Sequence, residues 1–248
     1  DGEEYQDNFS SDAEYKGFYD LIRAGKLPTT SQINFAEHEE FFTGLVDKYT
    51  EDIVYVTLSS GLSGSCESAR QAAKTVSERT GRNIYVVDSL GATISQRIVV
   101  EEAERLRDAG IGAAEAAKQL EEFVKHIHTW FMPTDLMHLK RGGRVSGAAA
   151  VIATALNIKP IIFIDSHGKL PVVKKLHGPG KGITFMAEKF GEDSAKTPHK
   201  FYIASADSDL AEDLLNKAKA LRPDCEAEIG WIGPVIGAHT GCWAAGLT

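Results

Sequence analysis

The residues best suited to chemistry lie together at 59–65, which reads Ser59-Ser60-Gly61-Leu62-Ser63-Gly64-Ser65. They follow a nearly continuous apolar run at 52–58 and precede a helical pattern. In open α/β sheets, ligands gather at the carboxyl ends of strands. Glycines there let a ligand come close to backbone, and serine hydroxyls with the free N–H groups of a helix start can hold an anion. Ser63 or Ser65 serves equally well as a plain helix N-cap. A nucleophilic serine is a third reading, because Ser63, Asp207 and His239 occur in the order nucleophile, acid, base. That reading, a serine hydrolase of lipid-like esters, lacks the closing glycine of the G-x-S-x-G turn, where Ser65 stands.

A second hydroxyl-rich loop, Pro28-Thr29-Thr30-Ser31-Gln32, precedes another helical pattern. Thr30 or Ser31 can cap that helix or add hydroxyl donors to those of Ser59 and Ser63. Neutral donors without a fixed cation suit a ligand that carries one negative charge on an oily body. Near the end, Gly237-Ala238-His239-Thr240-Gly241 follows the apolar Ile236, and its glycines imply tight turning. His239 reads either as a structural histidine or as a polar contact in a pocket. Lys140-Arg141-Gly142-Gly143-Arg144 is a solvated turn, or a docking site for a phosphate or a partner. Gly178-Pro179-Gly180-Lys181-Gly182 has Gly182 where a phosphate loop needs a hydroxyl, and it reads as a loop. His126 and His128 lack a third ligand, and Cys66, Cys225 and Cys242 form no CxxC pair, so neither a metal site nor a cofactor is expected.

Net charge is −8, from 35 acidic against 27 basic residues, which argues against a nucleic-acid surface. The longest apolar stretch, 148–156, is far short of the roughly 18 residues of a membrane span. Three widely spaced cysteines fit a reducing, cytoplasmic setting. The chain opens on Asp1 rather than a methionine, which leads to the expectation that its natural start is missing.

These residues need elements to hold them. Apolar spacing predicts helices at 13–25, 36–48, 65–79 and 113–126, a long helical stretch after 91, and strands at 52–58 and 83–87. Such alternation argues for a parallel sheet with helices on its faces. Beyond it come a strand at 129–133, a helical turn at 135–139, a small-residue helix at 146–156, and a hairpin of 159–164 with 169–174 about Ser166-His167-Gly168. Strands at 200–204 and 226–231 and helices at 181–190 and 210–220 complete the pattern. A hairpin inside an αβ alternation predicts a mixed sheet. The expected fold class is α/β in two lobes, 1–128 without its first strand and 129–248.

Six segments occur in the order of the DegV family, which the chain resembles over nearly its whole length. They are Thr30-Ser31-Gln32, the 59–65 segment, Val87-Asp88-Ser89, Leu139-Lys140-Arg141-Gly142-Gly143-Arg144, Asn157-Ile158-Lys159-Pro160-Ile161, and the run at 233–241. The resemblance implies a two-lobed α/β fold with one long-chain fatty acid held between the lobes. It implies that hydroxyls of Thr30 and Ser63 grip the carboxylate, with His239 near it and the tail in an apolar tunnel. Ser31, Ser59, Gly64 and Thr240, in the same motifs, are the further ligand-binding candidates. A separate fatty acid kinase would convert the presented acid to an acyl phosphate for phospholipid synthesis. Arg141 and Arg144 would meet that kinase or, transiently, a membrane surface. The chain itself shows neither a nucleotide loop nor a magnesium-type carboxylate cluster beside one, which favours a carrier over an enzyme. At about 0.8 kcal/mol per methylene, a long tail supplies roughly 10 kcal/mol of gross affinity. Three departures from the family are a missing first strand with its aspartate, Cys242-Trp243 where proline and glycine usually follow, and Gly178 to Gly182 in place of the usual basic segment.

Overall fold

The protein is described here from a computed structural model, in residues 4–134, 136–146, 157–193 and 200–248. Its first half runs α1 (Asp12–Arg23), α2 (Phe35–Lys48), β1 (Ile53–Thr57), α3 (Ser65–Thr80), β2 (Ile84–Asp88), α4 (Ile94–Asp108) and α5 (Ala113–Phe123). Then come β3 (Trp130–Met132), α6 (Leu136–Gly142), β4 (Val145–Ser146), β5 (Ile158–Phe163), β6 (Leu170–His177) and α7 (Pro179–Asp193). The chain finishes with β7 (Lys200–Ser205), α8 (Leu210–Leu221), β8 (Glu226–Trp231), α9 (Pro234–Thr240) and β9 (Ala245–Leu247). These elements form an α/β fold in two compact units. One is Asp1–Thr30 with His128–Phe163 and Leu170–Thr248, and the other is Ser31–Ile127 with Ile164–Lys169.

In the unit of 31–127, β1 and β2 pair in parallel, from Ile53↔Ile84 to Thr57↔Asp88. Strand alternation sends Tyr55, Ile84 and Val86 to one face, against Phe42, Ala69, Ala73 and Val76. Val54, Val56, Tyr85 and Val87 go to the other, against Val99, Leu106, Leu120 and Val124. Because helices cover both faces, both strands are apolar almost throughout.

In the other unit the described strands form a mixed sheet in the order β4-β6-β5-β3-β9-β7-β8. The β4–β6 and β7–β8 pairs are parallel and the rest antiparallel, as the hairpin implied. Ile183, Met186 and Phe190 of α7 and Leu214 of α8 cover it, packed on Met132, Ile161, Phe201, Ile203 and Leu247.

The division differs from the expected 1–128 and 129–248 at two places, each with a local cause. Tyr19 of α1 donates its buried hydroxyl to the Ile232 carbonyl at 2.6 Å, and Tyr15 stacks on Trp231 at 5.3 Å. These contacts group the first thirty residues with the C-terminal elements. The hairpin turn at 164–169 groups with 31–127, where Gly168 accepts a hydrogen bond from buried Ser59.

Three local expectations need correction. Residues 179–182 are the first turn of α7, not a loop; Pro179 opens that helix at a position where a missing N–H costs nothing. The helical turn at 135–139 is a longer helix, reaching Gly142. The glycine-flanked segment near the end is helix α9, followed by a strand, β9, that the pattern did not announce. The helix expected at 146–156 lies, from 147 on, outside the described residues. Among the described residues, no helix is long and apolar enough to cross a membrane.

Tyr19→Phe keeps the ring but leaves the buried Ile232 carbonyl without its donor. It should lower stability by about 1–2 kcal/mol in urea unfolding with an unchanged slope. Wild-type stability would show that the hydroxyl does not hold α1.

Candidate functional site

The site begins with a helix that ends on a glycine. The last carbonyls of a helix have no intrahelical partner, and Gly142 closes α6. Gly143 leaves the helix in the left-handed conformation, at φ +67. Arg144 then folds back, and its Nη1 donates to the Gly142 carbonyl at 2.9 Å. His239, on α9, brings Nδ1 to the same oxygen at 3.2 Å.

A carbonyl only accepts, so Nδ1 carries the proton and Nε2 of the neutral ring is an acceptor. Thr30 Oγ1 lies 2.9 Å from Nε2, so the threonine hydroxyl donates to it. All four residues belong to one unit. Their geometry needs a bare backbone at 142. A Cβ there would stand 2.9 Å from the His239 carbonyl oxygen and 3.0 Å from its Cβ. A second link between the same helices runs from His138 Nε2 to the Ala238 carbonyl, at 2.8 Å. Burial, followed by the positive charge of Arg144, pushes the His239 pKa below its usual value, while the Gly142 bond opposes that shift. The imidazole is therefore neutral at pH 7.

Thr30 and Ser31 do not cap α2. Asn34 does, accepting from the N–H groups of Ala36 and Glu37, while Glu37 accepts from the Asn34 N–H at 2.7 Å. This frees the Thr30 hydroxyl for His239. Ser31 is exposed.

The 59–65 segment lies, as expected, between β1 and the start of α3. Its serines divide by task. Ser59 is buried, and its hydroxyl donates to the Gly168 carbonyl at 2.8 Å and accepts from the Gly61 N–H at 3.1 Å. Its proton is committed to shaping the loop. A Cβ on Gly61 would lie 2.6 Å from two backbone oxygens of the 164–169 turn, so only glycine fits there. Asp88, at the end of β2, accepts from the N–H groups of Ser60 and Leu90 at 3.2 and 2.9 Å. Ser63 is only partly buried; its Oγ accepts from the Ser65 N–H at 3.2 Å and lies 3.0 Å from Ser65 Oγ. With the Ser65 hydroxyl as donor in that pair, the Ser63 proton is available to a ligand. Neither serine caps α3; Gly64 stands at that position, and the Gln32 side chain occupies the space a Cβ there would need. Thr240 is buried, with its hydroxyl bonded to the Ile236 carbonyl at 3.3 Å.

The acid–base half of the Ser63–Asp207–His239 order, Asp207 with His239, is not assembled. The Asp207 carboxylate is bound by Arg23, and His239 Nδ1 is held by a backbone carbonyl instead of an acid. Arg141 and Arg144 are both exposed, although Arg144 also donates to Gly142. Sequence reasoning missed three contributors: Gly142, Gln32 and Asn34. The Asn34–Glu37 spacing is a capping-box signature that could have been found. Nothing in the residue types announces that the Gly142 carbonyl receives two side chains.

The family model described as "Uncharacterised protein, DegV family" matches residues 1–248. A DegV domain-containing protein of Clostridium perfringens is 34% identical over 245 residues, covering 97% of this chain and 84% of the relative. Among solved structures, a fatty acid binding DegV family protein from Streptococcus agalactiae superposes with a TM-score of 0.85 at 25% identity, over 94% of this chain and 82% of that one. DegV from Bacillus subtilis, described as a fatty acid binding protein, does so with a TM-score of 0.80 at 32% identity, over the same shares of 94% and 82%.

Nitrogen NMR of the imidazoles at neutral pH should show His239 as the Nδ1–H tautomer. Gly142→Ala should shift those resonances and lower stability by about 1–3 kcal/mol. An Nε2–H signature in the wild type would overturn the assignment of donor and acceptor.

Proposed function

The chain belongs to the DegV family, and on that premise we propose that it binds a long-chain fatty acid and does not transform it. The observation that carries this reading is the Thr30–His239 pair. It is a hydroxyl released from capping duty and held in place by a half-buried imidazole. Two relatives at 25% and 32% identity are described as fatty acid binding, which supports the same ligand class. In this reading the hydroxyls of Thr30 and Ser63 take the carboxylate and His239 orients Thr30. Ser31 and Gly64 flank them in sequence, while Ser59 and Thr240 shape the backbone around them. Apolar burial of the tail supplies the affinity, and the hydroxyls fix the orientation of the head.

A free carboxylate has no leaving group, so its further use requires activation. We assign that step to a separate kinase, which would form the acyl phosphate from the presented acid and feed phospholipid synthesis. The exposed guanidinium groups of Arg141 and Arg144 are the contacts proposed for that kinase or for an anionic membrane surface met in passing. The hydrolase reading receives no support from the Asp207 and His239 hydrogen bonds.

Mass spectrometry of an organic extract of the purified protein should find a stoichiometric fatty acid. Substituting Thr30 and Ser63 together by alanine should weaken acid binding at least tenfold, about 1.4 kcal/mol. Unchanged affinity would refute their role. An empty extract, with no uptake of added acid, would refute the carrier reading.

A further inference from the structure

The hydrogen-bond roles around His239 leave Thr30 with a conflict. A hydroxyl has one proton, and that of Thr30 is directed at Nε2. A carboxylate accepts hydrogen bonds and donates none. Thr30 can meet a carboxylate only by turning its proton away from the ring. The ring would then face the Thr30 oxygen with a bare lone pair, an unmade hydrogen bond in a partly buried place.

Tautomerisation does not remove the conflict. Moving the proton from Nδ1 to Nε2 would set an Nδ1 lone pair 3.2 Å from the Gly142 carbonyl oxygen. That oxygen, a backbone carbonyl at the end of α6, is itself only an acceptor and already receives Arg144. A proton added to Nε2 satisfies every group at once. Nδ1–H then donates to Gly142, Nε2–H to Thr30, and the Thr30 hydroxyl to the ligand.

Resting on the fatty-acid reading of this site, we propose that binding of an acid anion takes up one proton, which enters the His239–Thr30 relay. The acid arrives ionised, the empty site holds a neutral imidazole, and the complex gains the proton from solvent. The charge balance agrees: an imidazolium and a carboxylate replace a neutral ring and a free anion. Among the described residues, the charged or titratable groups acting on the ring are Arg144, after α6, and His138, on α6, and neither is a carboxylate; Asp7 meets α9 at its other end, where it accepts from the Val235 N–H at 3.4 Å. Lys140 and Arg141 on α6 are exposed. From α1, Phe18 and Tyr19 lie against α9 at Gly237, and the Tyr19 hydroxyl donates to Ile232. The ligand itself is thus the anion that stabilises the protonated ring, and His239 is a positioning residue for Thr30.

The sign follows from linkage. The bound state holds one more proton than the free state, so affinity falls as pH rises, about tenfold per unit where the uptake is complete. Burial and Arg144 hold the free ring's pKa below its ordinary value, so the slope should begin by about pH 6.5 and end where pH passes the ring's raised pKa in the complex, above which affinity levels off.

Calorimetric titration of the full chain with dodecanoate, below its aggregation concentration, should be run at several pH values between about 6.5 and 8.5. Each should be repeated in two buffers of different ionisation enthalpy. The expected result is proton uptake approaching one per acid at the lower pH values, with affinity falling as pH rises by up to about tenfold per unit and levelling once the ring in the complex deprotonates. His239→Gln should abolish most of the uptake and flatten the slope. Affinity that is flat with pH, or uptake that persists in His239→Gln, would overturn the relay while leaving acid binding intact. Absence of dodecanoate binding at every pH would overturn both readings.

Discussion

The Gly142 carbonyl is the fixed point of the candidate site. It stands at the end of a helix, where backbone acceptors lack partners, and two side chains from different places converge on it. Arg144 reaches it from two residues along the chain, and His239 from another helix. The approach is close enough that residue 142 has no room for a side chain. From this one acceptor the rest follows by hydrogen-bond logic. It sets which ring nitrogen of His239 carries a proton, that sets the direction of the Thr30 hydroxyl, and that decides what Thr30 can offer a ligand.

Serines and threonines crowd the motifs, and counting their protons separates scaffold from site. Ser59 and Thr240 direct theirs to backbone carbonyls. They hold the turn of the serine loop and the end of α9, and truncating either would disturb geometry before chemistry. Ser63 and Thr30 differ. Each is partly exposed, and each accepts or shares a bond in a way that a ligand can rearrange. Asn34, a few residues further along, makes this possible, because a capped helix start makes no demand on the Thr30 hydroxyl.

Local pattern exposed most of the elements but not the way they group. The strands β1 and β2 are covered on both faces, so their apolar runs were plain. Helix α2 and helix α3 carried ordinary amphipathic spacing. Helix α9 was hidden because Gly233, Gly237 and Gly241 read as turns, although Pro234 just inside and Gly241 just outside fit the asymmetry of helix ends. Its stability comes from Tyr19 and Phe18 against Gly237 and from α6, partners distant in sequence. The same holds for β9, whose three residues become a strand only between β3 and β7. The association of residues 1–30 with the C-terminal elements rests on contacts more than two hundred positions apart, as in the Tyr15–Trp231 stack and the Tyr19 hydrogen bond to Ile232. The candidate hydroxyls were legible as a class; their division of labour depends on carbonyls, which no residue type encodes.

A hydroxyl pointed at an imidazole is also the start of nucleophilic catalysis, so the distinction between carrier and hydrolase has to come from charge. In a hydrolytic relay the ring receives the nucleophile's proton, and a buried carboxylate commonly steadies the imidazolium. Here Nδ1 faces a neutral carbonyl, Arg144 adds positive charge, and the acid of the order read from the sequence, Asp207, is paired with Arg23. An imidazolium formed during ester attack would have only a short-lived oxyanion opposite it. A bound carboxylate supplies a lasting counter-charge, with its donor already aligned. The environment that makes His239 a poor general base therefore suits it to a site whose protonated state persists only while an acid is bound.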